Sequence, residues 1–530
     1  MDKDILVVGA GPTGLMLACQ LVRRGVRVLI IDRHSGPALQ TRALGVQART
    51  LEIYEKLGIA DRALELGKHG TGANIWAQGR HMARVPLGDA GKNLTPYPFI
   101  LILGQDDNER IMGEKLRDLG VSVAWNTELV GLEQQADKVA ATIRLPNGVQ
   151  RKITAAWVAG CDGAHSAVRE LNAITFPGAP YEHVFFVADV TATGSMIADE
   201  LNVYLFREGF HLLFPMRGKD HWRVVGIVPP DLRDKDDLTF DSMLPSLHTQ
   251  GEAGLSFATC SWFSTYRIHH RSAEHFRDRR CFLLGDAAHI HSPVGAQGMN
   301  TGLQDAYNLA WKLALVVKDE AGAALLDSYE EERRPVAQRL LSTTDRAFRL
   351  VISDSPIAGL LRTKILARIA AFALGLGRIQ RIAFRTVSQI GIEYRDSSLS
   401  QTLPGLPDGA PRGGDRFPWL KLKFQPNGHI EDLFQKLDDT HFNLIVFGQA
   451  SPREGLPGLE GLCRLHSIPA DPVNDMDLAR ARIPKPSFYL LRPDGHVGLC
   501  GTRFEASAVR RYFSERLRIG SQDEFRPRER

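Results

Sequence analysis

The sequence predicts an α/β chain of several units, and three observations carry that reading. Short apolar runs rich in β-branched residues alternate with helical stretches through the first 176 residues. A glycine-rich turn joins the first apolar run to the first helix. Longer alternating segments follow, and a Pro/Gly-rich stretch precedes a second, smaller α/β pattern.

Asp4-Ile5-Leu6-Val7-Val8 is a continuous apolar run, as expected of a strand buried on both faces of a parallel sheet. Thr13 to Arg24 reads as a helix and Arg27 to Ile31 as a second strand, which completes a βαβ unit. Residues 1–176 are assigned to the first part of this unit's domain. In 177–265, Asn202 to Phe206 and His211 to Phe214 flank a Glu208-Gly209 turn and predict an antiparallel sheet. Residues 266–400 return to glycine-rich and helical patterns, with the helical period clear from Gln304 to Lys318. Ile357 to Ser388 is basic and apolar; a membrane-surface helix is weighed against a packed helix pair, and the recurring arginines favour the pair. After the linker Leu403 to Pro418, residues 401–530 carry strand-like runs at Phe442 to Phe447, Ser487 to Leu491 and from His496.

Composition narrows the function. Apolar residues at 44% and charged residues at 24% exclude a mostly disordered chain. A net charge of +4 spread along the length argues against a nucleic-acid partner. The six cysteines show no CxxC, which argues against a disulfide scaffold or metal site and fits a cytoplasmic setting. Ile5 to Val22 lies where a signal peptide would, but an acidic Met1-Asp2-Lys3-Asp4 precedes it and glycines interrupt it. No uncharged run approaches the roughly 20 residues of a membrane span, so no integral membrane segment is expected.

Gly9-x-Gly11-x-x-Gly14 follows a strand and opens a helix. The first glycine permits a tight turn, the second lets backbone approach a pyrophosphate, and the third allows close helix–strand packing. The helix N-terminus offers free N–H groups to phosphate. Asp32, at the end of the second strand, is placed to accept from ribose hydroxyls. The unit therefore predicts dinucleotide binding without saying which dinucleotide. Two further segments follow strands in the same manner. One runs from Gly160 through Asp162-Gly163 to Arg169. The other is Cys281-Phe282-Leu283-Leu284-Gly285-Asp286-Ala287-Ala288-His289, which continues to Gly302.

With these three segments in this order, the chain resembles the FAD-dependent aromatic hydroxylases, the single-component flavoprotein monooxygenases that include para-hydroxybenzoate hydroxylase. The resemblance covers about residues 1–395. It implies a Rossmann-like FAD-binding domain (1–176 and 266–400), an inserted mixed or antiparallel β-sheet substrate domain (177–265) and a C-terminal thioredoxin-like domain (401–530). That tail is similar to the branch acting on polyketides, rifamycins and phenolic acids.

The resemblance further implies roles position by position. Gly9, Gly11, Thr13, Gly14, Asp32 and Arg33 would meet the adenosine and pyrophosphate parts of FAD. Arg42 and Gln105 would meet phosphate and ribitol, and Leu129 adenine through its backbone. Asp162 belongs to a motif tied to both FAD and the nicotinamide donor, and Asp286 to the one for ribityl hydroxyls. Gly298, Met299 and Asn300 would present N–H groups to the isoalloxazine edge, with Pro293 as the wall beside the flavin. Asp32 and Ala296 depart from the more usual Glu and Gly. The implied reaction is hydroxylation of a phenolic or polycyclic aromatic small molecule. NADPH or NADH is the transient reductant, O₂ the co-substrate and a flavin hydroperoxide the oxidant. No catalytic side chain is assigned.

The substrate candidates are Tyr204, Phe206, Phe210, His211 and Phe214, which are equally compatible with plain sheet core. Asp286 and Asp162 also have readings as a helix cap and a turn residue. His289 and His291 are not read as a metal pair. A homodimer is left open. The rival readings are Baeyer–Villiger oxidation, epoxidation or dehydrogenation on the same scaffold, and a non-catalytic binding protein.

Overall fold

A computed structural model of the chain describes residues 3–38, 43–77, 79–206, 209–235, 237–249, 254–291, 296–352, 377–425, 428–450 and 456–519. Three large sheets organise it.

In the first, of seven strands, β1 (Lys3–Val8) runs parallel to its neighbours β2 (Val28–Ile31) and Gln150–Gly160. Ile5, Leu6 and Val7 are wholly buried, as an interior strand covered on both faces requires. Helix α1 (Pro12–Arg23) packs on this sheet, and α2 (Ala48–Leu57) follows.

The second sheet has eight strands. β3 (Gly72–Ala77) and β4 (Arg80–Pro86) form its edge, and β5 is the long Gln150–Gly160 strand of the first sheet. β6 (Gly178–Thr193), β7 (Leu201–Leu205), β8 (Phe210–Pro215), β9 (His221–Ile227) and β10 (Ser256–Ser272) supply the body. Here the expected division at residue 176 is corrected. β3 pairs in parallel with β7, Leu201 opposite Ala73 through Leu205 opposite Ala77, so part of the first 176 residues belongs to the second sheet. The pairing satisfies a backbone edge that the 177–265 strands would otherwise leave open.

Strict alternation gives this sheet two different faces. Phe186, Val190, Leu213, Trp222 and Val224 lie under Phe240, Met243 and Leu247 of α3 (Phe240–Thr249). Tyr181, Phe185, Phe210 and Ile227 cluster separately, with Leu205, Leu212 and Tyr266 beside them.

β11 (Cys281–Leu283) rejoins the first sheet, and β12 (His289–Ile290) pairs with the end of β10. α4 (Gly298–Val317) and α5 (Asp327–Ile352) follow. α6 (Gly377–Val387) is the described part of the Ile357 to Ser388 stretch; the rest of that reading lies outside the described residues. Phe384 of α6 seats on Gly91, where a Cβ would come within 2.4 Å of the ring. Among the described residues, no helix is long and apolar enough to cross a membrane.

The third sheet has five strands in the order Gln401–Thr402, Val497–Gly501, Ser487–Leu491, Phe442–Phe447 and Cys463–Ile468. Phe442, Leu444 and Val446 pack toward Trp311 and Leu315 of α4, while Ile445 and Phe447 pack away from it. Charges bury at this junction. Arg492 donates to Glu332 at 2.9 Å and also pairs with Asp494, while Lys312 donates to Glu332 at 2.8 Å. All four side chains are at most 2% exposed.

Candidate cofactor site

The three glycine segments meet through contacts only glycine permits. Gly9 has φ 100, and a Cβ there would lie 2.3 Å from the Cys161 carbonyl oxygen. At Gly14 a Cβ would lie 1.9 Å from the Gly9 carbonyl oxygen. Thr13 is wedged into the third segment: its Oγ1 would be 2.7 Å from a Cβ at Gly285 and 2.3 Å from one at Gly302. Gly11, by contrast, has no atom within 4 Å of its would-be Cβ. It caps α1 without a side-chain bond, and Pro12 follows, so the remaining first-turn N–H groups are left for a ligand.

Asp32 braces this turn. Its Oδ2 accepts from the Ala10 N–H at 2.7 Å and its Oδ1 from the His34 N–H at 2.8 Å. Arg33 is exposed beside it. Gln105 opens the helix Gln105–Asp118 and donates to Glu109 at 2.8 Å, while Leu129 is buried in the strand Glu128–Gln134. Arg42 and Pro293 lie outside the described residues.

In the second segment, Asp162 accepts from Ser166 Oγ at 2.6 Å and from the Val168 N–H at 3.3 Å. Burial pushes its carboxyl up from the usual range. Arg169 then crosses to the third segment, donating to the Ala287 carbonyl at 3.0 Å and the Ala164 carbonyl at 2.8 Å.

Asp286 is exposed on the short turn Gly285–Ala287, and two buried groups hold that turn. Arg169 grips its Ala287 carbonyl, and Asp305 Oδ2 accepts from the Gly285 N–H at 3.0 Å. Asp305 also accepts from Arg333 Nε at 2.6 Å and meets His289 Nε2 at 2.8 Å. Burial alone would raise the Asp305 carboxyl. The Arg333 guanidinium and His289 outweigh it and hold it below the usual carboxylate range. Sequence reading missed Asp305 and Arg333, and gave Arg169, the last residue of the second motif, no role of its own. The available signal was an acid set among Leu303, Ala306 and Leu309 on the apolar period of a helix.

Asn300 is buried and uses its whole amide. It accepts from the Gln47 N–H at 2.8 Å and Thr50 Oγ1 at 2.7 Å, and donates to the Gly45 and Ala296 carbonyls at 2.8 Å each. This fixes the first turn of α4, where Gly298, Met299 and Asn300 carry N–H groups that no intrahelical carbonyl can accept. His289 is committed to Asp305, and among the described residues no group of three or more His, Cys, Asp or Glu side chains is arranged to hold a metal.

The substrate candidates divide by face. Tyr204 stacks on Trp76 at 5.5 Å and donates to the Ser195 carbonyl at 2.8 Å, on the side covered by α3. Phe206 and His211 pack together at 4.6 Å, and His211 meets Phe186 on that same side. Phe210 lies on the opposite face, in the cluster around Phe185, and alternation along β8 places Phe214 on that face with it.

The FAD binding domain family matches residues 2–344. The 6-methylpretetramide 4-monooxygenase of Streptomyces rimosus is 33% identical over 94% of this chain and 91% of its own length. The chain belongs to the FAD-dependent aromatic monooxygenases. Rifampicin monooxygenase of Streptomyces venezuelae is 35% identical over 74% of this chain and 79% of its own. The solved structure of an anhydrotetracycline hydroxylase from Streptomyces rimosus matches 98% of this chain and 99% of its own, at 27% identity and a TM-score of 0.77. The residues of this monooxygenase fit the cofactor: Gly11 leaves open space beside free N–H groups, and the turn carrying Asp286 is locked from both ends.

Proposed function

We propose that this monooxygenase hydroxylates an uncharged phenolic or polycyclic aromatic small molecule, with NADPH or NADH as reductant and O₂ as co-substrate. The observation that carries this is the second apolar face of the sheet, a buried cluster around Phe185 that is separate from the one packed on α3. Phe185, Phe210, Ile227, Leu205 and Leu212 offer carbon, and Tyr181 and Tyr266 carry its two hydroxyls. β12 continues from the turn carrying Asp286 and pairs Ile290 with Arg271 of this sheet, which ties the apolar face to the cofactor segment.

Bound FAD supplies the passage of electrons from the nicotinamide donor to O₂. The protein's share is position and polarity. Gly9, Gly11 and Gly14 admit the pyrophosphate, and Asp286 addresses the ribityl chain. The first turn of α4 presents its positive dipole end to the ring, stabilising negative charge there. Phe185, Phe210 and Ile227 hold the substrate and exclude water. The six free cysteines support a cytoplasmic setting. The strand order of the third sheet, with Phe442–Phe447 parallel to Cys463–Ile468 and antiparallel to Ser487–Leu491, supports a thioredoxin-like reading of residues 401–530 without dithiol chemistry.

The test is NADPH oxidation by the FAD-loaded protein over a panel of phenols and fused-ring aromatics, with product mass and structure. A ring hydroxyl, one oxygen heavier, is expected. An ester or epoxide of the same mass would move the reading to Baeyer–Villiger oxidation or epoxidation, and loss of two hydrogens to dehydrogenation. No oxidation with any compound would favour a binding role.

A further inference from the structure

The first turn of α4 is held from a second side, by a residue far outside the glycine segments. Gln389 follows α6 in the left-handed region at φ 60, a conformation that costs any residue with a Cβ. It is 4% exposed. Its Nε2 donates to Thr301 Oγ1 at 2.9 Å and to the Gln297 carbonyl at 3.4 Å, while its Oε1 accepts from Gln304 Nε2 at 2.6 Å. The three partners lie in the first two turns of α4 or immediately before it.

The neighbours reinforce the clasp. Gln297 Nε2 donates back to the Thr386 carbonyl at 3.3 Å, and the Ser388 carbonyl accepts from the Arg49 N–H at 3.2 Å. Asn300 ties the turn to Gly45, Gln47 and Thr50, whereas Gln389 ties it to α6. Only a neutral amide donates twice and accepts once at this position; a carboxylate of equal length offers no donor.

We propose that Gln389 is a positioning residue that fixes the first turn of α4 against the flavin ring. The proposal rests on the reading that this turn faces the isoalloxazine edge.

Three variants of the FAD-loaded protein test it. Gln389→Gly relieves the left-handed backbone and removes the amide, and Gln389→Glu keeps the length but not the donors. Both are expected to melt within a few degrees of the parent, to release FAD about tenfold more readily, to shift the visible flavin band and to lose product formed per NADPH oxidised. Gly298→Glu places a carboxylate where the helix dipole accepts it but the negative charge of a reduced ring would not. It is expected to shift the flavin band and reduction potential. Parent-like FAD affinity and spectrum in both Gln389 variants, with Gly298→Glu altered, would overturn the Gln389 role alone. If Gly298→Glu were also parent-like, the turn would not face the ring, and both the reading and the proposal would fall.

Discussion

The junction of Gly9, Thr13, Gly285 and Gly302 is held by glycine backbone packed against backbone and one hydroxyl, whereas the second sheet is held by side chains that alternate between a face packed on α3 and a face turned away from it. At the junction a single added methyl group collides at 2.3 Å with the Cys161 carbonyl or with Thr13 Oγ1. In the sheet, Tyr204 and Phe210 sit within a few residues of each other yet serve opposite faces. Backbone contacts tolerate no change of side chain and so keep a fixed cofactor. Alternating side chains leave one face free to vary while the other preserves the fold.

The sharpest way to break this contrast is Gly9→Ala. The left-handed φ and the collision with Cys161 together should destabilise the fold by more than about 4 kcal/mol and abolish FAD retention, as read by thermal melting and visible absorbance of the purified protein. A variant that melts normally and stays yellow would mean that the junction yields.

Next comes Asp305→Asn, which leaves the Arg333 guanidinium buried without its counter-charge, at a cost of about 3–5 kcal/mol. The sign of its pH dependence follows from the depressed carboxyl. The Asp305 contribution is complete above the unfolded value, about pH 4, and is lost as pH falls through the lower folded value. Chemical denaturation across the acid range should therefore show a shallower loss of stability in Asp305→Asn than in the parent. Equal slopes would remove Asp305 from the account.

The smallest effects separate the two faces. Phe210→Leu should raise KM for the aromatic substrate severalfold, with a stability cost of about 1 kcal/mol from the buried carbon it removes. Tyr204→Phe should cost about 1 kcal/mol, the worth of one buried hydrogen bond, and leave KM unchanged. Steady-state kinetics and melting on the same preparations would decide it. A KM change in Tyr204→Phe would mean that the helix-covered face communicates with the substrate.

The glycine junction was legible because its constraint is local: Gly9, Gly11 and Gly14 stand at fixed spacing, and the strand before them is uniformly apolar. Gly285-Asp286 was legible for the same reason. The sheet faces were not. Tyr204, Phe206, Phe210, His211 and Phe214 form one aromatic stripe in the sequence, and only the register of β7 against β8 divides them. The recruitment of β3 and β4 was hidden because the edge they close is made by residues more than a hundred positions away. Asp305, Arg333 and Gln389 escaped because their partners come together only in the folded chain. An isolated charge or amide in a helical pattern looks like surface until its partner is known.

The buried charges beneath α4 also set a timetable. Lys312 and Glu332 emerge from the ribosome early and pair with each other, yet Arg492, the second cation on Glu332, follows 160 residues later. At about 5–20 residues per second, that is a wait on the order of ten to thirty seconds. Through that interval the helix that must receive the flavin has an unfinished underside. A chain stopped short of residue 492 is therefore expected to leave Trp311 and Glu332, buried in the full chain, without part of their cover.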